Sequence, residues 1–197
     1  ADSGCPTAAG SYAGGSGTQA DPWQIDDSTH LQRLRDDSAT GWDDSFILTA
    51  NIDMGGCSWT STIGNANRAF TGLLDGNDHV VNGLTIGVST GATSEYTGLV
   101  GRLASPGTVT QVGFTGEVLV VDVGSVVVAY AGGLVGRADS GTTISYSFAT
   151  GNVSASGSFR AEVGGLIGTS FGTVYDSYST GNASITGASE RFVGGLT

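Results

Sequence analysis

A short glycine–leucine block returns four times along the second half of the chain. It reads TGLVG at 97–101, GGLVG at 132–136, GGLIG at 164–168 and GGL at 194–196. Its leucines, Leu99, Leu134, Leu166 and Leu196, stand 35, 32 and 30 residues apart. A second block follows within each unit: VTQVGFTGEV from 109, ISYSFATGNVS from 144 and VYDSYSTGNAS from 174. The last two align without a gap at an offset of 30, placing Phe148 on Tyr178, Thr150 on Thr180, Gly151 on Gly181 and Asn152 on Asn182. Repeats of 20 to 50 residues build solenoids or propellers, because one unit cannot bury its apolar face alone.

Each unit offers three short strands, at the GGL(V/I)G block, at the aromatic block and at NVSA or NASI. Three strands closed by turns make a triangular coil, and coils stacked ~4.8 Å apart pair each strand with its equivalent. A propeller blade needs four antiparallel strands and hairpin turns, for which the units lack a dependable Asn-Gly or Asp-Gly signal. The expected fold is therefore all-β, a parallel right-handed β-helix with about three strands per coil. Gly accounts for 34 residues, but without a three-residue period and with only 3 prolines the chain is not collagen-like. Leu99, Leu134, Leu166 and Leu196 are expected in the core, with Phe148 and Tyr178 stacked inside the coil. Leu166 and Ile167 are expected on opposite sides of one strand. Thr150 with Thr180, and Asn152 with Asn182, are expected to form ladders at a corner.

Upstream the pattern differs. Residues 1–22 form a Gly- and Ser-rich lead-in, expected to be extended and poorly ordered apart from Cys5. Residues 23–71 are expected to cap the solenoid, which occupies 72–197 and stops within a repeat. The single helix signal lies in DDSTHLQRLRDDSATG, with Asp27 or Ser28 as N-cap, Leu31 and Leu34 on one face and Gly41 as the stop. From FILTANIDM at 46–54 onward only β-type runs follow.

The net charge is −11, with seven arginines and no lysine. That balance disfavours nucleic acid and anionic lipid as partners and suits a secreted protein. Cys5 and Cys57 belong to no zinc or CxxC motif, and a disulfide formed in an oxidising compartment is expected between them. No apolar run reaches the ~18 residues of a membrane span.

With this repeat in view, the chain resembles the GLUG-motif repeat family over about residues 12–197. The resemblance is carried by YTGLVG, by AGGLVG with ISYSFATGNVSA, by VGGLIG with VYDSYSTGNASI, and by the upstream run from YAGGSGTQADPWQI through FILTANIDM to FTGLLDGNDHVVNGLTI. It implies a secreted or cell-surface protein of bacterial type. In some IgA-cleaving metallopeptidases such repeats are accessory to the protease domain. The first unit departs from the pattern, with Thr97 in place of Gly and an insert, VVDVGSVVVAYA.

Residues with reactive chemistry are sparse. His30 and His79 are 49 apart and form no HExxH site, and no nucleophile elbow, phosphate loop or dinucleotide fingerprint is present. Asp75, Asp78 and His79 sit in DGND, a sequence of turn formers. No catalytic residue and no cofactor is expected. Calcium is the one cation the side chains suggest, through Asp21, Asp26, Asp27, Asp43, Asp44 and Asp53, although the DxDxDG spacing is missing. The Thr column raises ice binding, and Phe114, Tyr146, Phe148, Tyr175 and Tyr178 raise a sugar-stacking strip. Three function classes follow. The first is an extracellular structural or adhesive scaffold or stalk, including a subunit that stacks end to end into a fibre. The second is a module binding surface glycans or ice, and the third is an accessory region of a larger secreted hydrolase or peptidase.

Overall fold

The computed structural model describes residues 2–37, 41–90, 94–122, 128–157 and 160–196. Its strands pair in parallel across roughly four turns of a β-solenoid, as the repeat predicts. Equivalent strands of successive coils lie side by side in four sheets, of six, eight, four and three strands. The centre of the insert in the first unit, 123–127, lies outside the described residues.

One coil carries five short strands rather than three: Val128–Gly132, Val135–Ala138, Thr143–Ser145, Phe148–Ala149 and Val153–Ser156. The GGLVG block is not a strand. Gly133 and Leu134 form a corner between the first two of these strands. Leu134 N–H donates to Leu166 O at 2.9 Å and Val100 N–H to Leu134 O at 2.9 Å, so the corner joins its neighbours on both sides. Leu166 and Ile167 both point inward and are fully buried, because the corner turns the chain between them.

The core is built from in-register rows. Phe46, Leu74, Val109 and Ile144 follow one another through the six-stranded sheet, and Val100, Val135 and Ile167 through the three-stranded one. All seven are buried, each side chain contributing about 1.5–3 kcal/mol of transfer free energy. Leu99, Leu134 and Leu166 are buried too, whereas Leu196, in the last described coil, is 38% exposed.

Glycines let the corners nest. A Cβ on Gly136 would lie 2.5 Å from Thr97 N and 2.6 Å from Gly101 O, and one on Gly168 would lie 2.5 Å from Gly136 O. Backbone from the neighbouring coil fills the place a side chain would take. Non-glycine residues nonetheless make the other sharp corner. Gln111, Tyr146 and Asp176, one per coil, adopt positive φ of 54°, 49° and 48°.

The N-terminal end is closed by the helix Ser28–Asp36. Asp27 caps it, accepting from Thr29 N at 2.8 Å and His30 N at 3.0 Å, while Leu31 and Leu34 bury their side chains against the first coils. The helix ends at Asp36, before Gly41. Trp42 Nε1 donates to Leu34 O at 2.9 Å and Trp59 Nε1 to Gln32 Oε1 at 2.8 Å. The lead-in is tied down over its described length, unlike the loose segment its composition suggests. Tyr12 stacks on Trp23 at 5.2 Å, Ala13 N–H donates to Gln24 O, and Ser3 bridges Ser58. Cys5 and Cys57 are joined by a disulfide, and closing a loop of that length is worth about 4 kcal/mol in the chain-entropy account.

Two alanine substitutions separate nesting from glycine content. Gly136→Ala is expected to destabilise by about 1–3 kcal/mol through overpacking. Gly87, with nothing within 4 Å of its Cβ position, is expected to tolerate alanine within about 0.5 kcal/mol. Denaturant midpoints of the two variants check this.

Candidate functional site

Polar and aromatic side chains converge where the four-stranded sheet meets the three-stranded one. The register aligns Tyr96, Tyr130, Glu162 and Phe192 on the first sheet and Arg102, Arg137 and Thr169 on the second. Tyr96 and Tyr130 stack at 5.3 Å with 16° between planes. The Arg137 guanidinium lies 5.4 Å from the Tyr130 ring, 5.8 Å from Tyr96 and 5.2 Å from Phe171, and that of Arg102 lies 5.7 Å from Tyr96. Asp139 accepts from Arg102 Nε at 2.9 Å and from Arg137 Nε at 2.8 Å. Partial burial lowers the Arg137 pKa, but the hydrogen bond and charge of Asp139 outweigh it and raise the value above the usual arginine range.

In the next coil the same positions change character. Thr169 Oγ1 donates to Glu162, which also accepts from Arg160 Nε at 2.9 Å, and Arg160 covers the Phe192 ring at 4.9 Å. An open cavity of about 570 Å³ lies there, lined by Arg160, Glu162, Thr169, Ser170, Arg191 and Phe192. Stacking along the solenoid covers the tyrosine faces with a neighbouring ring and with guanidinium groups. Arg137, with its guanidinium near Tyr96 of the preceding coil and Phe171 of the following one, therefore staples coil to coil.

The aromatic pair expected in the core lies elsewhere. Phe148 and Tyr178 do stack, at 5.2 Å and 9°, but on the outer surface, with Tyr178 53% exposed. Strand alternation decides this, because the adjacent Ala149 is fully buried and Phe148 must face the other way. Its ring covers Gly113, where a Cβ would lie 2.8 Å from Phe148 Cε1. Phe114 is buried, while Tyr146 and Tyr175 pack edge to face at 5.4 Å although their sequence offset differs by one from their neighbours. The five aromatics do not form one strip.

At the Asn corner, Asn182 N–H donates to Asn152 Oδ1 at 3.1 Å, and both residues are exposed. Thr150 and Thr180 are exposed beside them. Thr150 N–H donates to Phe114 O and Thr180 N–H to Ala149 O, so the backbone rather than the hydroxyls links this column. A serine ladder, buried at Ser147 and half-buried at Ser177, runs through the neighbouring corner. Ser147 Oγ accepts Val112 N–H at 3.1 Å and donates to Ser145 O at 2.7 Å, and Ser177 Oγ repeats the arrangement on Ser147 N–H. The signal was present as Ser147 on Ser177 in the gapless alignment.

The acidic set does not converge on one point. Asp43 pairs with Arg68 at 2.9 Å, Asp44 accepts from Trp23 Nε1 at 2.9 Å, and Asp53 accepts from Gly55 N. Asp26, Asp27 and His30 alone bring three ligand atoms within 4.8 Å among the described residues. Their atoms are already engaged in the helix cap, with His30 Nδ1 2.7 Å from Asp26 Oδ1. Asp75 accepts from Asn77 N in the expected turn, where Asn77 and Asp78 have positive φ.

Comparison with known proteins bears on the repeat. Residues 128–154, the Gly-Leu corner through the Asn corner, match the GLUG motif. The chain carries the GLUG motif. A Gly-rich protein of Evansella cellulosilytica, named as a candidate membrane protein, is 33% identical over 115 residues. Halomucin of Haloquadratum walsbyi is 33% identical over 166 residues. These matches take in 56% and 78% of the chain but only 13% and 2% of the relatives' own lengths. A crystal structure of a candidate immunoglobulin A1 protease from Bacteroides ovatus matches with a TM-score of 0.43 at 19% identity, over 92% of this chain and 80% of that one. A likeness at that level carries no functional weight. Among the described residues no helix is long and apolar enough to cross a membrane.

Two measurements test these contacts. A double-mutant cycle of Tyr96→Ala and Arg137→Ala, which pair across two coils at 5.8 Å, is expected to show a coupling of about 0.5–1 kcal/mol, and additive losses would refute the staple. At the N-terminal strap, partial burial raises the Asp2 pKa, but the Arg35 guanidinium and the Thr60 hydrogen bonds outweigh it, bringing the value from 3.8 to about 2. The folded-state value is depressed, so its stabilisation is present above pH 3.8 and is lost as pH falls toward 2. Asp2→Asn is expected to flatten the pH dependence of the urea midpoint over that window.

Proposed function

We propose that the chain is an extracellular structural segment, a rigid GLUG solenoid that holds or spaces other parts of a longer surface protein. One observation supports this most strongly. The arginine–tyrosine rungs and the serine and asparagine ladders tie coil to coil. Side chains spent on stacking serve stiffness, and a stiff rod transmits position rather than chemistry. The Cys5–Cys57 disulfide fits an oxidising compartment, and the much greater lengths of the relatives fit a segment of something larger.

Immunogold labelling of intact producing cells with an antibody to this segment is expected to decorate the outer surface without permeabilisation. In the full-length protein, deletion of 128–159 removes one register repeat, since Val128 pairs with Arg160. The shortened protein is expected to remain secreted and to give a thinner surface layer. Label confined to the cytoplasm would overturn the proposal.

A further inference from the structure

The Asn corner carries a second pattern besides its ladder. Asn152-Val153-Ser154 and Asn182-Ala183-Ser184 both read Asn-x-Ser with x other than proline, the acceptor pattern for N-linked glycans. We infer that this corner is a glycan attachment site, with Asn182 and Asn152 as the acceptors.

The geometry supplies what such an acceptor needs. Both asparagines are exposed at the entry to a strand, Val153–Ser156 in one coil and Ala183–Thr186 in the next. The period of two puts each Asn and its Ser on the same outer face, with Val153 or Ala183 pointing inward between them. Ser184 is exposed and Ser154 half-buried. The hydrogen bonding is compatible as well. Asn152 takes part in the ladder through Oδ1, which accepts Asn182 N–H at 3.1 Å. A carbonyl acceptor survives N-glycosylation, since the modified amide keeps its oxygen and loses only one of two N–H groups. The ladder and the glycan therefore use different atoms of one side chain. The corresponding corner of the first repeat has Glu117 in this place, so the pattern begins one coil later.

The transfer joins Asn Nδ2 to the anomeric carbon of the first sugar and breaks that carbon's bond to a phosphate oxygen of a lipid-phosphate-linked oligosaccharide donor. The amide proton passes to a base of the transferring enzyme, and the lipid phosphate departs. The inference rests on the extracellular setting proposed above, which the disulfide supports independently. Successive coils place the two acceptors only ~4.8 Å apart, so a pair of glycans there would splay outward from the rod and shield its open corner.

The sequence makes the test direct. With no lysine, trypsin cuts after Arg137, Arg160 and Arg191, releasing 138–160 and 161–191 with one acceptor pattern each. In protein taken from the outside of the cells that make it, at least one of these peptides is expected to carry a glycan. Peptide N-glycosidase should remove it and leave Asp at 152 or 182. Both peptides at their unmodified mass, in protein confirmed to be extracellular, would overturn the inference without touching the location. Ser154→Ala with Ser184→Ala removes the pattern while sparing the Asn ladder. That variant is expected to fold and to lose the glycan, and a glycan retained on it would equally overturn the assignment.

Discussion

Neighbouring coils are held together by backbone hydrogen bonds running from each strand to its equivalent in the next coil. In a parallel stack each strand depends on its neighbour being in register, because a slip of one residue would turn the buried row outward. The corners set that register. The Leu134 amide donates to Leu166 O, Val100 donates to Leu134 O, and glycines at 136 and 168 let the backbones approach closely enough for the bonds to form. The burial of Val100, Val135 and Ile167 follows from that geometry.

Side chains add a second set of ties outside the core. Arg102 and Arg137 share Asp139 and cover Tyr96 and Tyr130, binding two coils across a junction of two sheets. Ser147 and Ser177 each satisfy a corner amide of the preceding coil and donate to their own chain two residues back. The Val112 amide is buried and would cost about 1–3 kcal/mol without a partner, so the Ser147 hydroxyl is a structural requirement of the corner.

Rows carried by an aligned repeat block were legible. Leu99, Leu134 and Leu166 were placed in the core by spacing alone, and Asn152 and Asn182 were placed together at a corner. Phe148 and Tyr178 were paired correctly but assigned to the wrong side. An aromatic residue reads as core by composition, whereas here Ala149 holds the inward position and Gly113 leaves a shelf for the ring outside. The arginine rungs escaped notice because Tyr130 and Arg137 are seven residues apart across a corner, and only the bend brings them to 5.4 Å. The lead-in misled for a related reason. Its Gly and Ser content says nothing of Tyr12, which finds Trp23 and Phe46 only after the cap has formed.

The sequence by itself determined that the chain stacks repeats in parallel, since a period near 30 with short apolar runs admits few other ways to bury a core. It also determined which residues share a row, because register follows from aligned repeats. Only the tertiary structure decided which way each row faces and which elements close the end. Those depend on where a corner bends the chain and on contacts between residues far apart in sequence, neither of which a linear period records.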